Sequence, residues 1–303
     1  MRAAGGVPGQ RRGDRRGDRR GSREGSDGWH FSEGEPITAE LSALRLLGGG
    51  TAYEAWLAFD EVTYAAVVVK LLRPGQVDDP VSLRGLRREA RTLERVNHPA
   101  IARSLRAVLD GDRPHLVLEA LDGPRLSTLL RRFGPLAPQQ YLLLGMEVAS
   151  ALHYLHRIGV VHLDVKPSNV IMASPARLID LSVARSVDEA ARLDHVVGTE
   201  GYLAPEQCDP PHTGIPGPAA DVFGLGVTLF RAISGRRPFP DDEPAEPRLD
   251  LLPASVPVDV VDLVAACLAA RPRDRPSPSE VVEGLRPALD DLPPARLAGF
   301  RVH

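Results

Sequence analysis

Three scarcities bound this 303-residue chain before any motif is considered. It has two cysteines, Cys208 and Cys267. Two are too few for a disulfide framework and show no metal-ligand spacing, so the expected address is a reducing, cytoplasmic compartment. No run of about 18 to 20 apolar residues occurs, and the arginine-rich start lacks the apolar segment of a signal peptide, so no membrane span is expected. Positive charge is scarce outside that start. The formal net charge is −3, yet residues 1–28 alone carry eight arginines against four acids, which leaves the rest at about −7. Nucleic acid is not an expected partner for such a surface.

Lysine is rarer still. Of 37 basic residues only Lys70 and Lys166 are lysines. An ammonium is a compact point charge with three donors and a guanidinium a broad planar fork, so the two do not interchange at a crowded phosphate. Taken alone, two lysines among so many arginines could be chance; the neighbours decide.

Residues 1–33 form a Gly, Arg and Asp tract with almost nothing to bury, and the expectation is a disordered, solvated tail. Ser22, Ser26 and Ser32 in or beside it are candidate autophosphorylation sites. From about 38 to 120 the pattern is strand-rich. LRLLGGGTAYEAWLAFD and TYAAVVVKLL read as strands around a glycine turn, the second carrying Lys70, and PHLVLEALDG reads as another. RGLRREARTLERV reads as a helix whose Leu86, Ala90 and Leu93 share a buried stripe with Glu89 beside it. From about 121 to 290 the pattern is helical. Leu144, Val148, Leu152 and Leu155 line a helix that stops at Gly159, and DVFGLGVTLFRAISG is apolar all round, as a central core helix must be. Residues 291–303 are left as a short tail.

In order, the chain then offers LGGG from Leu47, Lys70, Glu89, HLDVKPSN from His162, IDLS from Ile179, GTEGYLAPE from Gly198, Asp221 and Arg275. This series resembles the eukaryotic-type (Hanks-type) protein kinase family, in its bacterial serine/threonine branch, over about residues 38–290. The resemblance implies an α+β, bilobal fold with a small β-sheet lobe and a larger helical lobe. It also implies an ATP- and Mg²⁺-dependent enzyme acting on protein Ser/Thr hydroxyls. Phosphoryl transfer asks a site for positioning and countercharge rather than covalent chemistry. By the resemblance, Lys70 holds the α and β phosphates and Glu89 aims it. Asp164 accepts the hydroxyl proton, Lys166 neutralises the moving phosphate, and Thr199 bridges Asp164 and Lys166. Asn169 and Asp180 are the expected metal ligands. Leu47, Gly48 and Gly50 form the phosphate loop, Ala55 and Val68 one adenine wall, Ile171 the other, and the backbones of Glu119 and Leu121 the hinge contacts. Glu206 and Arg275 are expected to form a buried ion pair beneath the peptide shelf.

The departures from the pattern matter as much. Tyr53 stands where the third loop glycine belongs and Ala52 where an aromatic is usual, which predicts a stiffer loop with a weaker hold on phosphate. Ala55 and Val68 exchange the usual valine and alanine, keeping total volume. Asp180-Leu181-Ser182 replaces Asp-Phe-Gly, and a serine at 182 conflicts with a turn that needs φ > 0 there. Leu163 replaces the arginine that receives an activation-loop phosphate, and the only aliphatic hydroxyls between Asp180 and Glu206 are Ser182, Ser186 and Thr199. Loop phosphorylation is therefore not expected to switch the protein. The alternative to an active kinase is a pseudokinase, a nucleotide-binding scaffold.

Overall fold

The computed structural model describes residues 28–239 and 246–293. Five antiparallel strands make the small lobe: β1 (Leu41–Gly49), β2 (Tyr53–Asp60), β3 (Ala65–Leu72), β4 (Ser104–Val108) and β5 (His115–Glu119), in the order β1-β2-β3-β5-β4. β2 alternates half-buried and buried side chains without a break, so Tyr53, Ala55 and Leu57 share one face and Glu54, Trp56 and Ala58 the other. Ala55 lies opposite Lys70 and Leu57 opposite Val68, which puts Tyr53, Ala55, Val68 and Lys70 on a single face of the sheet.

The other face is closed by a second small core of Ile37, Leu41, Ala43, Trp56, Ala58, Val67, Val69, Leu71 and Val117, with Phe31 among them. This corrects the expected tail. Residues 28–33 belong to the fold, because two aromatics sit there and find partners. Trp29 Nε1 donates to the Leu72 carbonyl at 2.7 Å, Phe31 packs edge-on against Trp56, and the Arg113 guanidinium lies over both rings. Ser32 is exposed in the turn that follows, whereas Ser22 and Ser26 lie outside the described residues.

α1 (Pro80–Glu94) crosses the opposite side of the sheet. Asp79 caps it by accepting from the Ser82 N–H at 2.7 Å, Pro80 opens its first turn, and Leu86, Glu89, Ala90 and Leu93 are buried. The large lobe follows with α2 (Leu126–Phe133), α3 (Pro138–Arg157), short strands β6 (Val160–Val161), β7 (Val170–Ile171), β8 (Arg177–Leu178) and β9 (Arg185–Ser186), then α4 (Val187–Ala190), α5 (Pro205–Cys208), α6 (Pro210–Thr213), α7 (Pro218–Ser234), α8 (Val258–Cys267) and α9 (Pro278–Asp290). α3 packs on both α7 and α9. α7 runs through the core, buried from Ala220 to Phe230, and ends at Gly235 in the left-handed conformation that a chain stop of this kind uses. The main core is continuous from Leu86 and Leu93 of α1, through Leu181, to α3 and α7. The architecture is α+β with two lobes, and β5 leads directly into the segment that joins them.

Candidate active site

Asp164 and Lys166 lie in the loop between β6 and β7, and the conformation of that loop is over-determined. Leu163 is buried with φ +65°, a conformation costing about 1–3 kcal/mol for such a residue, which persists only where the surroundings hold it. Here both sides of the residue are held. Asp221, in the first turn of α7, accepts the His162 N–H at 2.8 Å and the Leu163 N–H at 2.7 Å. Gln207 of α5 donates to the Leu163 carbonyl at 3.0 Å and to the Val197 carbonyl at 2.9 Å.

The next residue is thereby aimed. Asp164 Oδ2 accepts from Lys166 Nζ at 2.6 Å and from Asn169 Nδ2 at 3.0 Å, while Asp164 Oδ1 is buried and has no hydrogen-bond partner. Lys166 Nζ also donates to Thr199 Oγ1. The bridge in this trio is therefore Lys166, which touches both others, rather than Thr199 as expected. A hydroxyl offers one donor, whereas an ammonium has three to share between two oxygens.

A second cluster gathers around the other lysine. Lys70 Nζ donates to both Glu89 oxygens and to Asp180 Oδ1, each at 2.8 Å. Burial alone would lower the Lys70 pKa, but the two facing carboxylates outweigh it and hold the ammonium above its ordinary value. Burial pushes the Glu89 carboxyl up against the pull of Lys70. For Asp180 burial works in the same upward direction, and the Lys70 ammonium overcomes it to hold the carboxyl well below the usual range.

The turn at Asp180 removes the objection to Ser182. The left-handed residue is Asp180 itself, at φ +69°, and Ser182 is not among the residues with positive φ. Aspartate tolerates this conformation because its side chain bonds locally, here accepting the Ser182 N–H at 3.3 Å. A glycine at 182 is thus not required by the backbone.

The loop between β1 and β2 is closed by the bond from the Gly50 N–H to the Tyr53 carbonyl at 2.9 Å, and Arg73 Nε donates to the Gly50 carbonyl at 2.8 Å. Gly48 has φ +145°, and a Cβ on Gly49 would lie 2.5 Å from the Tyr53 carbonyl oxygen, so neither tolerates a side chain. A Cβ on Gly48 or Gly50 meets nothing within 4 Å, which leaves open space beside the loop. Leu47, Ala55, Val68 and Ile171 are half-buried. The Glu119 N–H is committed to the Arg103 carbonyl at 3.0 Å, so any hinge bond from Glu119 must use its carbonyl; Leu121 follows two residues on. Among the described residues no group of three or more His, Cys, Asp or Glu could hold a metal. Asn169 spends its amide N–H groups on the Asp164 carbonyl and carboxylate, leaving its oxygen, and the Asp180 side chain is 37% exposed. Two oxygen donors suit a hard cation that completes its shell with phosphate and water.

Compared with known proteins, the chain matches the protein kinase domain over residues 41–284. It belongs to the protein kinase family. It is similar to serine/threonine-protein kinase PkaA of Streptomyces coelicolor, 34% identical over 285 residues that cover 85% of this chain and 51% of that protein. It is 32% identical to serine/threonine-protein kinase PknA of Mycobacterium tuberculosis, covering 80% of this chain and 59% of the relative. With serine/threonine-protein kinase PknB of Mycobacterium leprae the identity is 31%, covering 76% and 40%. The chain thus spans roughly half the length of these curated bacterial relatives. Membership implies a nucleotide and a divalent metal, and the donor set fits both. No helix among the described residues is long and apolar enough to cross a membrane.

The structural roles of three residues, one of them in the motif series, escaped the reading of the sequence. Gln207 and Asp221 were visible as letters, but their work on the Leu163 backbone is long-range and has no local signature. Arg73 follows β3 by one residue, and nothing in the sequence pairs it with Gly50.

Proposed function

We propose that this chain is a serine/threonine protein kinase that transfers the γ-phosphate of Mg-ATP to protein hydroxyls and needs no phosphate on its activation loop. The observation that carries the reading is Asp164 Oδ1. A buried carboxylate oxygen without a donor costs about 1–3 kcal/mol, and this one sits in a loop held rigidly by Asp221 and Gln207. A substrate hydroxyl supplies the missing donor, and Asp164 is then placed to take its proton. Lys166, between Asp164 and Thr199, offers its positive charge where negative charge develops. Lys70, aimed by Glu89, is the ligand for the inner phosphates. Asn169 and Asp180 are the residues that hold Mg²⁺, which when bound neutralises phosphate charge.

Independence from loop phosphorylation rests on what occupies the hydroxyls and the receptor. Ser186 caps α4, its Oγ bonded to Glu189 at 2.8 Å, and Thr199 is bonded to Lys166. Ser182 stands at the start of the loop rather than in its middle, with its backbone N–H donating to Asp180 Oδ1 at 3.3 Å. Leu163 fills its site with a buried aliphatic side chain and has no charge to offer a phosphate. Proteins bearing Ser or Thr are the proposed substrates, with Ser32 an exposed candidate for autophosphorylation.

The test is transfer of labelled γ-phosphate to the protein itself and to a generic basic protein, wild type against Asp164→Asn. Phosphoserine or phosphothreonine that disappears in the variant supports the reading, and no transfer by the wild type refutes it. Phosphatase treatment should leave the rate unchanged, and a marked drop would overturn the loop argument.

A further inference from the structure

Tyr53, which the loop pattern marks as a defect, has a specific place. It is the first residue of β2, on the same face as Lys70 and diagonal to it across the strand pair, since Tyr53 lies opposite Leu72 and Ala55 opposite Lys70. Lys70 Nζ lies 4.9 Å from the centre of its ring, within the range where an ammonium is attracted to an aromatic face. Its hydroxyl reaches past the lysine to the first turn of α1 and donates to the Ser82 carbonyl at 3.3 Å, a long bond.

An independent feature of α1 points to the same contact. Gly85 sits inside that helix, where glycine is a poor helix former. A Cβ at 85 would lie 2.9 Å from Tyr53 Oη and within 4 Å of nothing else. The helix therefore carries a helix-weakening residue at the one place where the tyrosine hydroxyl arrives.

We propose that Tyr53 is a positioning residue for phosphoryl transfer: it ties β2 to the start of α1 and steadies the Lys70 ammonium over its ring, so that the Lys70–Glu89 pair is held from within the small lobe. This rests on the kinase reading. It supplies what that reading lacks, a device for keeping α1 in place when no loop phosphate does so. Burial raises the Tyr53 pKa, against the pull of Lys70, so the hydroxyl remains a donor at neutral pH.

The chain's two lysines make the test direct. The chain's only amines are Lys70, Lys166 and its amino terminus, so N-acetylation by acetic anhydride, read after hydroxylamine has removed the O-acetyl groups, reports on these three, and peptide mapping separates them. In Tyr53→Leu, Lys70 should label roughly three- to tenfold faster, Lys166 should be unchanged, and kcat should fall by a similar factor with little change in KM for the protein substrate. Tyr53→Phe keeps the ring and loses only the bond to Ser82, so its labelling should stay near wild type while kcat falls by less than in Tyr53→Leu. Gly85→Ala should hold or raise the melting temperature through helix propensity, yet lower kcat as the hydroxyl is displaced, and adding Tyr53→Phe to it should bring the rate back to that of Tyr53→Phe alone. Unchanged Lys70 labelling in Tyr53→Leu overturns the proposal, as does faster labelling with unchanged transfer or a double variant that stays slower than Tyr53→Phe alone. If the wild type transfers no phosphate the kinase reading fails, and the labelling then decides the contact between the ring and Lys70 by itself.

Discussion

Glu206 and Arg275 invite a quantitative prediction, because every partner of the pair is accounted for. Both side chains are fully buried, and the guanidinium meets the carboxylate as a fork, at 2.6 and 2.8 Å. The remaining donors go to the carbonyls of Ala269 at 2.8 Å, Ala219 at 2.9 Å and Ala270 at 3.2 Å, and the Phe223 ring lies 4.9 Å from Cζ. All five N–H groups are thus used. Removing one partner strands the other's charge, which costs about 3–5 kcal/mol. The two single variants should nonetheless differ. Glu206→Leu leaves three of five donors satisfied, whereas Arg275→Met strips the carboxylate and three carbonyls together. Each abandoned carbonyl adds roughly 1 kcal/mol, so Arg275→Met should be the worse of the two. The double variant removes the stranded charge and should lie well above the sum of the singles, still short of wild type because the three carbonyls stay unpaired. Urea titration followed by far-UV circular dichroism reads this. At a slope of about 3 kcal/mol per molar, each single variant should lower the midpoint by about 1 M or more. Tryptophan fluorescence is the wrong probe here, since Trp29 and Trp56 both lie in the small lobe. A shift below about 0.3 M for Arg275→Met, or single effects that simply add, would refute the argument.

Other outcomes follow from the same geometry. Lys70→Arg should cut transfer about a hundredfold while the protein stays folded, since a planar fork cannot reproduce one ammonium shared by Glu89 and Asp180; steady-state kinetics beside a melting curve checks this. Ser182→Gly should leave the rate within about twofold, because the left-handed residue of that turn is Asp180; a large gain would show that serine does strain it. Asp60 accepts from both Arg106 terminal nitrogens, at 2.8 and 2.6 Å, and this bond holds its carboxyl well below the usual range. A depressed folded-state pKa contributes stability that is complete above the unfolded value of about 3.9 and is lost as pH falls toward the folded one. Asp60→Asn should therefore lower stability at pH 7 and flatten its decline below about pH 4, and an unchanged acid limb would count against the pair.

The order of charged motifs made the fold and the two lysine-centred clusters legible, and for Lys70 and Glu89 the periodicity of their own elements adds the face on which each lies. Strand alternation puts Lys70 on one face of the sheet with Ala55 and Val68, and the helical stripe puts Glu89 beside Leu86 and Ala90. What stayed hidden is contact between segments distant in sequence, where no period operates. Trp29 and Phe31 sit in a tract whose composition argues for disorder, yet two aromatics suffice to close the back of the sheet, and averaging over the tract conceals them. The objection to Ser182 fails for a related reason. A glycine in a motif signals a demand for positive φ or for empty space, and that demand belongs to the backbone rather than to the position. Here the φ requirement near the proposed metal ligands has settled on Asp180, which satisfies it with its own carboxylate, and the loop between β6 and β7 places another on Leu163, which Asp221 and Gln207 hold from both sides. At position 53 the space that a glycine would leave is filled by a ring that touches Lys70 and α1. Leu163 is answered by Asp221 and Gln207 and Tyr53 by Lys70 and α1, all distant in the chain, whereas Ser182 is answered two residues away by Asp180, and only the structure shows which residue answers.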